Sequence, residues 1–124
     1  MKLFGILLLS LISFGSMAQK SQYTKVAGVW QGTISAQGQT RKVLFHITFD
    51  GTELSATLDS PDQNATGLKV DEISFVEGVL KMKVNVVQGT YEGTLGNNKV
   101  EGKWSQWWQS IDLNLDKIRK KGTS

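Results

Sequence analysis

Apolar and polar residues alternate along most of this chain, and in three stretches a glycine takes an apolar position of the alternation. The stretches are residues 30–34 (Trp-Gln-Gly-Thr-Ile), 91–95 (Tyr-Glu-Gly-Thr-Leu) and 100–104 (Val-Glu-Gly-Lys-Trp). A period of two predicts β-strands with one buried face. Glycine on that face weakens a strand, but it permits a sharp bend or the close approach of another backbone. The pattern therefore predicts a strongly curled antiparallel sheet.

The same alternation, interrupted by turn residues, predicts about eight strands. The clearest strand covers residues 40–49, and Asp50-Gly51 after it is a strong signal for a tight hairpin turn. Tight turns between successive strands predict an up-and-down meander. Eight such strands can close into a small barrel. We therefore predict an all-β antiparallel meander that closes into a small barrel of calycin or lipocalin shape. A two-sheet sandwich is the alternative, and the inward glycines favour the barrel.

The phase of the alternation also predicts which side chains share the core and where the pattern stops. Residues 79–87 are expected to form one strand, and the polar segment 59–69, which contains the only proline, is expected to be an irregular loop. The predicted core consists of Trp30, Phe45, Phe75, Leu80, Met82, Tyr91, Leu95 and Trp104.

The first 18 residues have the layout of a secretory signal peptide. Lys2 precedes an apolar run over residues 3–14, and Ser16-Met17-Ala18 is a small-x-small cleavage site. The run is shorter than the ~20 residues that span a bilayer, and the chain has no cysteine to carry a lipid anchor. We expect an exported protein, periplasmic or secreted, without a membrane span. Its predicted parts are a signal peptide (1–18), a flexible segment (19–27), the β-barrel domain (28–118) and a basic tail (119–124).

The charge distribution argues against nucleic-acid binding. The formal net charge is +3, but four of the basic residues lie in the last eight positions. The rest of the domain is mildly acidic and lacks the clustered basic stripe that nucleic-acid binding needs. With no cysteines, the exported domain must also be held together by its core without disulfide bonds.

Catalytic and metal-binding patterns are not evident in the sequence. His46 is the only histidine, and no Cys or carboxylate stands near it at the spacing of a metal site or a catalytic triad. The chain lacks a Gly-x-Ser-x-Gly nucleophile elbow and a glycine-rich phosphate loop. We therefore predict a protein that is not an enzyme and that needs no cofactor or metal.

Two adjacent tryptophans, Trp107 and Trp108, are the strongest candidates for a binding surface. Neighbouring residues of a strand point to opposite sides, so at most one indole is readily buried. Exposed indoles flanked by the amides of Gln106 and Gln109 suit either sugar rings or a partner protein. An indole folded back over the barrel mouth as a plug is the alternative.

The loop that contains Asp59, Asp62 and Asn64 is the second candidate for this surface. Its oxygen atoms could surround a calcium ion, but the loop lacks the central glycine and distal glutamate of an EF-hand. Turn formation, in which these side chains accept hydrogen bonds from nearby backbone N–H groups, is the favoured explanation. We still include the loop in the predicted surface, because binding residues concentrate on loops of rigid scaffolds.

Several runs of this chain resemble a β-rich domain of exported bacterial proteins, especially from the Bacteroidota. The resemblance covers residues 26–118 and rests on Trp30-x-Gly32, Leu44-Phe45-x-Ile47, Ala56-Thr57-Leu58-Asp59-Ser60-Pro61-Asp62-Gln63, Tyr91-x-Gly93 and Gly102-x-Trp104-x-Gln106. In that family the domain often precedes an α/β-hydrolase domain with a serine nucleophile. The resemblance implies an accessory domain without catalytic machinery, here standing alone. One departure is the turn after Gln106, which in the family carries small residues.

Together these observations predict an exported, non-catalytic β-barrel domain. It would bind a small apolar or carbohydrate ligand, or dock to a partner protein such as a secreted hydrolase. The alternative is a detached accessory domain of a secreted serine hydrolase.

Overall fold

A computed structural model describes residues 22–118, which form an antiparallel all-β domain. The strands are β1 (Gly28–Ala36), β2 (Gln39–Phe49), β3 (Leu54–Ser60), β4 (Ala65–Lys69), β5 (Glu72–Val76), β6 (Val79–Val84), β7 (Gly89–Leu95), β8 (Lys99–Gln106), β9 (Gln109–Asp112) and β10 (Leu115–Ile118). The predicted all-β, antiparallel up-and-down sheet is confirmed. The predicted signal peptide (1–18), residues 19–21 and the basic tail (119–124) lie outside the described residues.

The strands form one strongly curled sheet. Its order is β4-β3-β2-β1-β10-β8-β7-β6-β5, and β9 also pairs with β8. The two ends of this order, β4 and β5, are joined by only Val70 and Asp71, so Lys69 and Glu72 lie within about 11 Å of each other. Val70 N donates to the Ala56 carbonyl on β3 (3.1 Å), and Asp71 N donates to the Lys83 carbonyl on β6 (2.7 Å). The connection therefore draws the two ends together.

The sheet does not close into a hydrogen-bonded barrel. Within residues 22–118, β4 and β5 form no ladder with each other. The sheet thus consists of a first half (β1 to β4) and a second half (β5 to β10). A short β1–β10 ladder, from Val29 opposite Ile118 to Gln31 opposite Asp116, joins the halves on the other side. After Gln31, β1 pairs only with β2. The neighbouring strand β9 pairs only with β8.

Both halves share one hydrophobic core on the concave face of the sheet. Every predicted core residue except Leu95 is buried, and Leu95 is partly buried against the same cluster. The Phe45 ring of the first half lies 6.0 Å from Tyr91 and 6.4 Å from Trp104 of the second half, measured between centroids. The other buried apolar residues are Val26, Val43, Ile47, Ala56, Leu58, Val70, Val84, Val100, Leu113 and Leu115.

The N-terminal segment fills one end of the curled sheet. Tyr23–Lys25 forms a 3-10 helix, and Val26 after it is fully buried. The Val26 carbonyl accepts a hydrogen bond from Trp30 Nε1 (2.9 Å), and the Tyr23 ring packs edge-on against Phe49, with centroids 5.5 Å apart. Tyr23 and Val26, in the segment expected to be flexible, are therefore packed against the core; the mobility of this segment stays a prediction.

The inward glycines allow close approach, as their position in the alternation predicts. Gly93 and Gly102 lie directly opposite each other on β7 and β8. A Cβ on Gly102 would lie 2.6 Å from Gly93 Cα and 2.7 Å from the Tyr91 hydroxyl. That hydroxyl donates to the Leu113 carbonyl (2.7 Å), at the break between β9 and β10. The two glycines thus leave room for the phenol group of Tyr91.

The structure has ten strands where about eight were expected, because two segments differ from the prediction. The predicted loop 59–69 forms a 3-10 helix, Pro61–Gln63, followed by β4, which pairs with β3. The predicted last strand is divided into β9 and β10. β4 and β9 are short strands at sheet edges, and such strands depend on their tertiary partners more than on local propensity.

The predicted strand over residues 79–87 ends early, so Val86 does not take the inward position, in phase with Leu80 and Met82, that a strand over this range would give it. β6 stops at Val84, and Asn85–Val87 forms a 3-10 helix that leaves Val86 68% exposed. The Asp71 carboxylate accepts a hydrogen bond from Asn85 N (2.7 Å), and Gln88 adopts a left-handed conformation (φ +52°). These contacts reverse the chain direction before the alternation ends.

Candidate functional site

The end of the sheet opposite the N-terminal helix, which we call the mouth, contains a cavity of about 420 Å³. Strands β1, β3, β6 and β8 end at the mouth, and β2, β4, β7 and β9 begin there. The walls of this mouth cavity are formed by Ile34, Arg41, Val43, Ser60, Gln63, Ala65 and Leu68 of the first half and by Val86, Val87, Trp104, Gln106 and Trp107 of the second. The cavity thus lies between the two halves of the sheet.

The concave face changes from apolar to polar at the mouth. On β2 the inward positions run from Phe45 and Val43 to Arg41 and Gln39, and on β8 Trp104 is followed by Gln106. A smaller cavity of about 120 Å³, next to the mouth cavity, is lined by these polar side chains together with Gln109 and Ile111. The result is an apolar wall with a rim of amides and one guanidinium group.

The Trp107-Trp108 pair forms the tip of the two-residue β8–β9 hairpin, which Gln106 and Gln109 close. Trp107 is 70% exposed and Trp108 is 95% exposed, so neither ring is buried as a plug. Trp107 lines the mouth cavity and its Nε1 donates to Gln88 Oε1 (2.8 Å), whereas Trp108 lines neither cavity. The two rings therefore have different surroundings, although they are neighbours in the chain.

The backbone of Trp107 is strained. Its φ of +53° lies in the left-handed region, which bulky L-residues rarely adopt. Other turns of this chain also place a non-glycine residue in this region, for example Gln37 (φ +54°) and Glu77 (φ +51°), but their side chains are unbranched and polar. Strain of this kind costs on the order of 1–3 kcal/mol and concentrates at functional positions. The tryptophan at position 107 is thus unfavourable for stability.

Gln106 links this hairpin to the core. Its Oε1 accepts a hydrogen bond from Trp104 Nε1 (2.9 Å), and its Nε2 donates to the Val87 carbonyl (2.8 Å). Gln106 therefore holds the base of the hairpin against the 3-10 helix Asn85–Val87. It also orients the indole ring of Trp104 through the ring N–H. Of the predicted surface residues, Gln106 and Trp107 line the mouth cavity and Gln109 lines the smaller cavity beside it.

Asp59, Asp62 and Asn64 stabilise local structure and do not line either cavity. The Asp62 carboxylate accepts a hydrogen bond from Lys42 N (2.8 Å). Asn64, in a left-handed conformation (φ +57°), ends the 3-10 helix by donating its N–H to the Pro61 carbonyl (3.0 Å). The structure brings two neighbours of these residues, Ser60 and Gln63, to the mouth instead.

His46 has a carboxylate partner that the sequence analysis missed. His46 Nε2 lies 2.8 Å from Asp59 Oδ2, on the outer face of the sheet. Asp59 Oδ1 accepts a hydrogen bond from Gly67 N (2.7 Å); this bond above all, and then the contact with His46, lowers the pKa of Asp59. The predicted two-residue turn at Asp50-Gly51 would have paired Asp59 with Lys42 and hidden this contact. The loop between β2 and β3 is four residues long, Asp50 to Glu53, and its register, with Phe49 opposite Leu54, places Asp59 diagonally across from His46.

The side chains that the structure describes do not form a metal site. In residues 22–118, no group of three or more His, Cys, Asp or Glu residues is arranged to hold a metal ion. The polar cavity-lining residues that sequence reasoning missed include Gln39, Arg41 and Gln63 at the mouth. For Gln39 and Arg41 a signal was present, since they share the phase of the buried residues Val43 and Phe45.

No family model, curated protein or solved structure matches this chain. The resemblance to a hydrolase-associated domain therefore stays an expectation. In the described part of the chain, no helix has the length and apolar character needed to cross a membrane.

Proposed function

We propose that this protein is an exported, non-catalytic domain that binds a small, largely apolar ligand in the mouth cavity. The observation that carries the proposal is the cavity itself, about 420 Å³ with a mainly apolar wall and a few polar groups at its rim. Ligand sites commonly have ~300–1,000 Å³ and this distribution of apolar and polar groups. The strained, exposed Trp107 at the edge of the cavity supports a binding role.

The proposal includes a barrel of calycin or lipocalin shape. The supporting observations are the curl that brings β4 and β5 together, the N-terminal segment that fills one end, and the open mouth at the other. A ligand that contacts both halves, for example Leu68 and Trp107, would hold the halves together. Ligand binding should therefore also raise the stability of the domain by mass action.

Export to the periplasm or beyond rests on the predicted signal peptide, and the absence of catalysis rests on the lack of a recognisable set of catalytic residues. The His46–Asp59 pair is 43% and 21% exposed in its side chains, lies on the outer face and lines neither the mouth cavity nor the smaller cavity. We assign this pair a structural role: Asp59 of β3 contacts His46 of β2 and the Gly67 N–H of β4, and so links the three strands.

A second candidate function is docking to a partner protein, such as a secreted hydrolase. Trp108 favours it, because this indole is 95% exposed and faces neither cavity. Tryptophan is frequent among the residues that dominate binding energy at protein interfaces. The same exposed indole, beside Gln109, would also suit a sugar ring, so a carbohydrate ligand belongs to this second candidate.

Calorimetric titration of the purified protein with decanol and with maltotriose tests these functions, using variants of the two adjacent tryptophans. If decanol binds in the mouth cavity, Trp107→Ala should weaken its binding by roughly tenfold or more, about 1.4 kcal/mol, while Trp108→Ala serves as the matched control with little effect. If maltotriose binds and only Trp108→Ala weakens it, the carbohydrate function replaces the apolar one. Failure of both ligands to bind contradicts the proposal of a small-ligand site.

A further inference from the structure

Arg41 is an exposed, charged residue on the concave face of the sheet, next to three inward positions of β2 that are buried and apolar. Val43, Phe45 and Ile47 follow it at intervals of two and are all buried. Arg41 pairs with Ile34 of β1 and lines both the mouth cavity and the smaller cavity beside it. The register of β2 thus directs a permanent positive charge toward the cavity.

This guanidinium group has no carboxylate partner among residues 22–118. The salt bridges of the described residues are His46–Asp59, Lys99–Asp116 and Lys103–Asp112. The hydrogen bond that Arg41 makes is from Nη2 to Gln39 Oε1 (3.0 Å), and Gln39 lies two residues away on the same face. Because the Gln39 amide is neutral, it does not compensate the charge of the guanidinium group. Most N–H donors of the guanidinium group also remain available.

We infer that the ligand of the mouth cavity carries a carboxylate, which Arg41 binds while the apolar body of the ligand lies against Val43, Leu68 and Trp107. The inference rests on the proposed function and specifies its ligand class. A guanidinium group presents paired N–H donors that match the two oxygens of a carboxylate. The cavity wall beside Arg41 is apolar, so it fits an amphipathic acid better than a fully polar anion.

The test compares decanoate with decanol, which have the same apolar chain and differ in the end group. Wild-type protein should bind decanoate roughly tenfold to a hundredfold more tightly than decanol, the range expected for a charge-assisted hydrogen-bonded pair. Arg41→Gln should abolish this preference, because it weakens decanoate binding more than decanol binding, and Arg41→Lys should retain part of it. Circular dichroism and the urea midpoint verify that each variant is folded.

Lys42→Gln is the matched control. It removes the same charge from the neighbouring position of β2, but Lys42 is on the opposite face and its backbone N–H, not its side chain, bonds to Asp62. The preference for decanoate should persist in this variant. Any loss of preference equal to that in Arg41→Gln would mean that net charge alone is responsible, and it would overturn the inference.

The outcomes separate this inference from the proposed function. If decanol binds as tightly as decanoate, or if Arg41→Gln keeps the preference, the inference is wrong and the apolar site stands. If neither compound binds, the proposed function fails and the inference with it. If an oligomer of galacturonate binds in an Arg41-dependent way and decanoate does not, Arg41 recognises an acidic sugar and the amphipathic ligand is wrong.

Discussion

Replacement of Tyr91 by Phe tests the interaction that organises the middle of the second half of the sheet. The Tyr91 side chain is buried, and its hydroxyl donates to the Leu113 carbonyl (2.7 Å). In a regular antiparallel ladder the Gly102 N–H would donate to that carbonyl, because Leu113 N already donates to the Gly102 carbonyl (2.9 Å). The Gly102 N–H instead bonds to Asn114 Oδ1 (3.2 Å). The phenol hydroxyl thus takes the place of a missing ladder hydrogen bond at the break between β9 and β10.

The expected cost follows from what the substitution leaves behind. Tyr91→Phe keeps the ring and its packing, but it leaves the Leu113 carbonyl without this donor and a void between Gly93 and Gly102. An unsatisfied buried polar group costs about 1–3 kcal/mol. For a domain of this size each kcal/mol lowers the melting temperature by roughly 4–8 °C. We therefore expect a clearly resolved loss of stability with the fold retained.

Urea unfolding of wild-type protein, Tyr91→Phe and Tyr23→Phe measures this loss. Tyr23 is the matched control, because its ring is only partly buried against Phe49 and the same oxygen is removed. The free energy of unfolding should fall by about 1–3 kcal/mol for Tyr91→Phe and by less than about 0.5 kcal/mol for Tyr23→Phe. Equal effects of the two substitutions would refute the role assigned to the Tyr91 hydroxyl.

The same variant has a signature at alkaline pH. Burial raises the pKa of Tyr91 above its usual value of about 10, so the folded protein keeps the phenol proton after the unfolded chain has lost it. The contribution of Tyr91 to stability is then complete below about pH 10 and declines as the pH rises further. Wild-type protein should therefore lose more stability between about pH 9 and 11 than Tyr91→Phe does.

Two further substitutions test the mouth hairpin and the outer face. Trp107→Asn should stabilise the domain by about 1 kcal/mol in urea unfolding, because Asn tolerates the left-handed conformation better than Trp. Trp108→Asn is the control and should not stabilise the domain, because φ is not positive at this position. Equal effects of the two substitutions would refute the strain argument. Asp59→Asn should destabilise the protein at neutral pH, and the difference from wild type should shrink as the pH falls below about 4. The pKa of Asp59 is lowered in the fold, so its carboxylate contributes above its unfolded pKa and loses that contribution on protonation; a difference independent of pH would contradict this assignment.

Much of the fold could be predicted from local patterns in the sequence. Alternation placed Trp30, Phe45 and Tyr91 on one buried face, because in an extended strand successive side chains must point to opposite sides. Short turns such as Asp50-Gly51 predicted antiparallel neighbours, since they leave too little chain for any other connection. The inward glycines indicated close backbone approach, which the Gly93–Gly102 pair exhibits.

Part of the candidate site was also available from the sequence. Adjacent indoles indicated that at least one of the two is exposed, and the structure shows that both Trp107 and Trp108 are exposed. The inward phase of Arg41 was equally visible, but a charged residue at the end of a strand is commonly solvated. Its significance appears only when the tertiary structure places Ile34, Leu68 and Val87 around the same space.

Local sequence patterns determined the strands, their inward faces and the tight turns of this protein, because steric alternation and turn preferences act over a few residues. Tertiary structure alone decided that β4 forms, that β6 stops at Val84 and that β1 pairs with β10. It also decided that Asp59 meets His46 and that the two halves of the sheet enclose a cavity. Each of these depends on contacts between residues distant in the chain, whose free energies no local pattern contains.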